Sequence, residues 1–129
     1  MITHSRRKSK GLNAERELVH LFWSNGWSAA RIAGSGSSSM PSPDIIAGGK
    51  GKLLVIECKT VEKLPKYFSS KEIEELEEFA FRMGAKPIVA VKINRKGWYY
   101  CDSRMLRKTN NSFVFDESIE KKEIKELFL

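Results

Sequence analysis

Residues 42–59 read SPDIIAGGKGKLLVIECK, and this stretch constrains the fold more than any other. Two apolar runs, about Asp44–Ala47 and Leu53–Lys59, flank Gly48-Gly49-Lys50-Gly51, the pattern of a strand pair around a glycine turn. Leu53-Leu54-Val55-Ile56 reads as a buried strand, which belongs in a sheet that other elements cover. Yet the stretch opens beside an aspartate and closes in Glu57-Cys58-Lys59, with two charges one residue apart at the end of a buried strand.

The rest of the chain supplies the covering elements. Asn13 to about Asn25 predicts a helix, with Asn13 as N-cap and Gly26 as its stop. Leu18, Val19 and Phe22 share one face, and Glu15 lies on that same face, where a carboxylate is out of place. Trp27 to Ile32 is a short strand, and Gly34-Ser35-Gly36-Ser37-Ser38-Ser39 is a loop by composition. Thr60 to Phe68 reads as irregular. Ser69 and Glu72 have capping-box spacing and open a second helix, with Ile73, Leu76, Ala80 and Met83 as its apolar stripe and Gly84 just past its end. Its N-terminal glutamates suit the helix dipole and ask for no functional role. Pro87 to Ile93 is an apolar strand that turns at Asn94–Gly97 into a partner, Trp98 to Cys101. Residues 103–113 are polar and basic, and Ile119 to Phe128 reads as a short terminal helix. No repeat or linker divides the 129 residues, which fit the ~100–200 residues of one domain. The expected organisation is a single domain, 1–129, with residues 1–10 as a flexible basic arm. The element order implies an α/β fold, a central mixed β-sheet of about five strands flanked by helices.

Charge narrows the partner. The formal net charge is +7. Arg6, Arg7, Lys8 and Lys10 come with no acid among the first ten residues, whereas Glu72, Glu74, Glu75, Glu77 and Glu78 crowd one segment. A basic face concentrates polyanions and makes their binding salt-dependent. No apolar run approaches the ~20 residues of a membrane span, and no apolar core follows the basic N-terminus as a secretory signal requires. Cys58 and Cys101 sit in apolar runs without metal-binding spacing, which reads as two small buried thiols in a reducing compartment.

Side chains alternate along a strand, so Leu54, Ile56 and Cys58 point one way and Val55, Glu57 and Lys59 the other. Pairing Ala47 with Lys52 puts Asp44 opposite Val55 and diagonal to Glu57 on that second face, a relation that depends on register. Two carboxylates and an ammonium then converge at the open end of a hairpin. Carboxylates placed together raise each other's pKa unless a cation lies between them. Mg2+ takes one or two carboxylates, waters and a substrate phosphate, and Lys59 beside it would assist attack on phosphorus. The plainer reading is a strand-end salt bridge.

Pro43-Asp44 followed by Glu57-x-Lys59 resembles the signature of the PD-(D/E)xK nuclease superfamily, which has a restriction-endonuclease-like nuclease core. KGLNAERELVHLFWSNGW, ARIAGSGSS, PDIIAGGKGKLLVIECK, FAFRMGAKPIVAVK and GWYY, in that order, resemble the archaeal Holliday junction resolvase family from about Lys10 to Tyr100. The resemblance implies a structure-selective endodeoxyribonuclease that cuts four-way DNA junctions as a homodimer with Mg2+, in recombination and repair. It implies work at the nucleoid in the cytoplasm, with recombination or replication proteins as further partners. It matches Glu15, Asp44 and Glu57 to the family's acids, with Asp44 and Glu57 as metal ligands and Glu15 contributing directly or through water. It matches Lys59 to the catalytic lysine, Arg16 and Arg31 to its basic residues, and Ser35, with Ser37 as the alternative, to its loop serine. Lys8, Lys10, Arg16 and Arg31 would hold flanking phosphates. Two other readings stay open: a restriction- or repair-type nuclease of the same superfamily acting on duplex DNA, and a non-catalytic nucleic-acid-binding module. The last must explain why carboxylates face a phosphate.

Overall fold

The computed structural model describes residues 4–34 and 40–129, and the side chains of all of these but 4–7. Helix α1 (His4–Ser24) is followed by strands β1 (Ser28–Arg31), β2 (Ile45–Gly49), β3 (Lys52–Val61) and β4 (Lys66–Ser69). Helix α2 (Ser70–Met83) leads to β5 (Lys86–Ile93) and β6 (Gly97–Asp102). Short strands β7 (Arg107–Lys108), β8 (Ser112–Phe115) and β9 (Lys122–Glu123) complete the chain, with 3-10 turns at Ser103–Met105 and Ile124–Phe128. The main sheet has six strands in the order β1-β2-β3-β5-β6-β9, and a second sheet has three, β4-β8-β7. The mixed α/β sheet expected from the sequence is therefore present with one more strand than anticipated.

β3 is the hub. It pairs antiparallel with β2 and parallel with β5, Leu54 against Lys86 through Val61 against Ile93. A parallel pair needs a crossover, and the segment β4–α2 provides it. Both faces of β3 are covered, as its unbroken apolar run requires. On one face Leu54, Ile56 and Cys58 pack with Leu18 and Phe22 of α1 and with Trp27. On the other, Val55 packs with Val89 and Val91 and with Ile73, Leu76 and Ala80 of α2. The α1 cluster is closed from below by the C-terminus, where the Phe128 ring lies 5.3 Å from that of Phe22. Gly49 is required here, since a Cβ at this position would meet the Trp27 ring at 2.5 Å.

Local expectations fail where long-range pairing decides. The helix expected from Asn13 begins at His4, so residues 4–10 form its first turns and are not a free arm. Lys and Arg are good helix formers, and the single Gly11 costs only about 1 kcal/mol. Residues 60–68 and 103–113 hold β4, β7 and part of β8, which pair across a long stretch of chain, Lys66 with Phe115. No local period announces such pairing. It buries Phe68 and Phe115 while leaving Tyr67 exposed. The terminal helix is a two-residue strand and a 3-10 turn. Met83 is partly exposed beyond the α2 stripe. The capping box and the left-handed Gly84 are both as expected.

Candidate active site

The site is built from the end of the β2–β3 ladder. Ile45 pairs with Ile56 and Ala47 with Leu54, two residues away from the register inferred from the turn. A shift of two preserves the face, and it leaves Asp44 just beyond the last paired residue, next to Glu57. Pro43, without an N–H, cannot carry the ladder further. Asp44 is fixed from three directions. Its N–H donates to the Ile56 carbonyl at 3.0 Å, its carbonyl accepts from the Ile32 N–H at 2.8 Å, and its Oδ2 accepts from the Cys58 N–H at 2.8 Å. The carboxylate occupies the place of the next backbone partner on β3. Strand alternation aims the Cys58 carbonyl at the same edge.

A cavity of about 260 Å³ opens there, lined by Gly11, Ala14 and Glu15 of α1, by Asp44, and by β3 from Glu57 to Thr60. The structure thus brings Glu15, Asp44, Glu57 and Lys59 together. The Glu57 carboxyl is pushed up to about 8 by burial and by the Asp44 charge; Lys59 works against this, and a hydrogen bond with Asp44 adds to it. Glu15 is pushed up to about 7 by burial and by Asp44, opposed by Arg31 and Lys59. Arg31, at the end of β1, lies 3.9 Å from Glu15. Burial alone would lower the Lys59 ammonium; Glu57 and Glu72 outweigh it and hold it above its ordinary value. The Cys58 thiol is driven well up by burial and the surrounding acids, which rules it out as a thiolate nucleophile at neutral pH.

The remaining expected residues are placed less centrally. Lys10 lines a larger neighbouring cavity of about 660 Å³ that shares Ala14 and Thr60 with the acidic one, and it lies 3.4 Å from Glu62. Lys8 and Arg16 are exposed on α1. Ser35 and Ser37 lie outside the described residues. Sequence reasoning missed Glu72, whose Oε1 is 2.9 Å from the Lys59 Nζ, closer than the 3.5 Å to Glu57. A signal for it existed. The helix of a parallel crossover starts near the end of the strand it leaves, which places the first turn of α2 beside Lys59.

The donor set fits a hard divalent cation. Two neighbouring carboxylates, one held protonated by burial and by the other's charge, and a carbonyl aimed at the same edge offer oxygen alone. Among the described residues no three acidic, histidine or cysteine side chains form a ready metal cluster. Two carboxylates completed by water and phosphate oxygens are what Mg2+ accepts, whereas an all-protein cage is not.

A mixed sheet that carries Pro43-Asp44 next to Glu57-x-Lys59 at the end of its central hairpin defines a nuclease of the PD-(D/E)xK kind. The family model described as archaeal Holliday junction resolvase (Hjc) matches residues 6–129, and the chain belongs to that family. It is 45% identical over 112 residues to the crossover junction endodeoxyribonuclease Hjc of Archaeoglobus fulgidus, covering 87% of this chain and 82% of the relative. To the Hjc of Methanocaldococcus jannaschii it is 36% identical over 111 residues, covering 86% and 79%. The solved structure of A. fulgidus Hjc, a Holliday junction resolvase, superposes with a TM-score of 0.86 at 40% identity, covering 92% of this chain and all of that one.

Proposed function

We infer that this chain is a crossover junction endodeoxyribonuclease that resolves four-way DNA junctions by hydrolysing phosphodiester bonds. The observation that carries the chemistry is Asp44 next to Glu57 beside Lys59. Asp44 and Glu57 would hold a divalent cation, Mg2+ in our reading, with Glu15 contributing directly or through water. Bound there, the cation supplies Lewis-acid charge to the scissile phosphate and to the attacking water. The three backbone-anchored bonds of Asp44 keep its carboxylate in place without reorganisation. Lys59, held as an ammonium, places positive charge where negative charge develops on phosphorus oxygens. Arg16, Arg31, Lys8 and Lys10 hold flanking phosphates, with Ser35 or Ser37 on the serine-rich loop contacting the strand.

A junction has near-twofold symmetry, and two sites on opposite strands call for a twofold dimer. The aromatic residues Trp98 and Phe115 are buried within the chain and are not available for it. Phe81, 88% exposed, and the partly exposed Met83 and Leu53 are. Leu54 pairs with Lys86, just past the end of α2, so the end of α2 and the start of β3 meet at one end of the sheet. Among the described residues no helix is long and apolar enough to cross a membrane. In our reading the enzyme works on chromosomal DNA at the nucleoid, in company with recombination or replication proteins.

The test offers the protein Mg2+ and equal amounts of a labelled four-way junction and a linear duplex of the same sequence. Paired nicks in the junction alone are expected. Duplex cleavage at a comparable rate would make it a duplex nuclease. Binding without cleavage, unchanged in Asp44→Asn, would make it a binding module.

A further inference from the structure

The first turn of α2 approaches the catalytic lysine from the face opposite α1, and one glutamate there does more than an N-terminal cap demands. In a capping box the Glu side chain returns to the N-cap backbone and the N-cap hydroxyl accepts from the Glu N–H. Both bonds are present: the Ser69 N–H donates to Glu72 Oε2 at 2.9 Å, and the Glu72 N–H donates to Ser69 Oγ at 3.1 Å. They use only one carboxylate oxygen. The other, Oε1, lies 2.9 Å from Lys59 Nζ. This is a charge-assisted contact, the stronger class of hydrogen bond, made by a carboxylate already immobilised by a helix end.

Lys59 has two acidic neighbours with different duties. Glu57 lies 3.5 Å from its ammonium and, on the functional reading above, gives its charge to the cation. A carboxylate committed to a cation is a weak anchor for a second positive charge beside it. Glu72 stands on a separate element and is tied to Ser69, so its hold on Lys59 does not depend on what Glu57 binds. The Glu72 side chain is 37% exposed and that of Lys59 29%, enough burial for the pair to be sheltered from full solvent screening.

We propose that Glu72 is a positioning residue for the cleavage reaction: it fixes the Lys59 ammonium toward the scissile phosphate by bridging the α2 capping box to the β3 active-site lysine. The proposal rests on the reading that Lys59 acts in cleavage. It also gives one residue two functions that substitutions can separate. Glutamine supports a capping box as glutamate does but carries no charge for the ammonium. Ser69→Ala removes the capping hydroxyl and leaves the Ser69-position N–H and the Glu72–Lys59 pair.

The experiment measures single-turnover junction cleavage, junction Kd and Tm for wild type, Glu72→Gln, Ser69→Ala and Lys59→Ala. Glu72→Gln is expected to cleave about 10-fold more slowly, the lower end for loss of a partner behind an active-site group, with Kd within about twofold and Tm unchanged. Ser69→Ala is expected to lower Tm and keep the wild-type rate. Cleavage by Glu72→Gln within about twofold of wild type would overturn the proposal. So would a rate loss in Ser69→Ala equal to that in Glu72→Gln, because the effect would then belong to the helix end. Wild-type cleavage by Lys59→Ala would instead sink the underlying assignment of Lys59, a different failure from inactive Lys59→Ala beside a fully active Glu72→Gln.

Discussion

The proposed active site has two halves that are held in different ways. Asp44, Glu57 and Lys59 stand on one hairpin, and the ladder bonds that align β2 with β3 also align the carboxylates. Glu15 and Glu72 come from helices on opposite faces of the sheet, and only packing brings them near: Leu18 and Phe22 seat α1, and Ile73 and Leu76 seat α2. The sheet half sets which atoms can meet a cation, because backbone geometry leaves it no slack. The helix half sets charge balance and orientation. Its acids reach the site as partners of Arg31 and Lys59, at 3.9 and 2.9 Å. Loss of a sheet residue should therefore abolish chemistry, and loss of a helix residue should only weaken it.

Asp44→Asn gives the sharpest contrast. It withdraws a ligand from a cation expected to supply several kcal/mol of transition-state stabilisation, so cleavage should fall about 10³-fold or more. Junction binding should be kept or tightened, since a negative charge near phosphate is gone. Gel-shift and cleavage assays on one preparation check both. Lys59→Ala should cost about 10²–10³-fold in the single-turnover rate, the range for removing one preorganised donor at developing charge. Glu15→Gln should cost less, about 10–100-fold, and raised Mg2+ should recover part of the loss. A Glu15→Gln variant as dead as Asp44→Asn would erase the distinction between the halves.

The smallest effect is on stability. Glu57 ionises near its ordinary 4.5 in the unfolded chain and near 8 in the folded one. Between those values the unfolded chain holds fewer protons, so stability of the metal-free protein falls as pH rises through this window. A Tm loss on the order of 5 °C between about pH 5 and pH 8 is expected, and Glu57→Gln should reduce the slope to the part that Glu15, pushed up to about 7, contributes.

The same division explains what the sequence could reveal. The sheet half was legible because alternation along 53–59 is a local rule, and an error of two residues in register leaves every side chain on its proper face. The strand at 53–59, both capping signals of α2 and the α1 stripe followed from equally local patterns. Glu15 stood out only as a charge on an apolar face, and nothing local said where that face would dock. Glu72 was hidden by its own success as a cap, since the capping box already accounted for it. β4 and β8 escaped because Lys66 and Phe115 have no reason to meet until the rest of the chain has folded.

The central claim is that Asp44 and Glu57 share one divalent cation, and titration calorimetry of Mg2+ into the metal-free protein tests it most directly. Wild type should bind, releasing protons below about pH 8, where Glu57 is still protonated in the free protein, and both Asp44→Asn and Glu57→Gln should lose that binding. Mg2+ binding by either variant with wild-type affinity and heat would contradict the account.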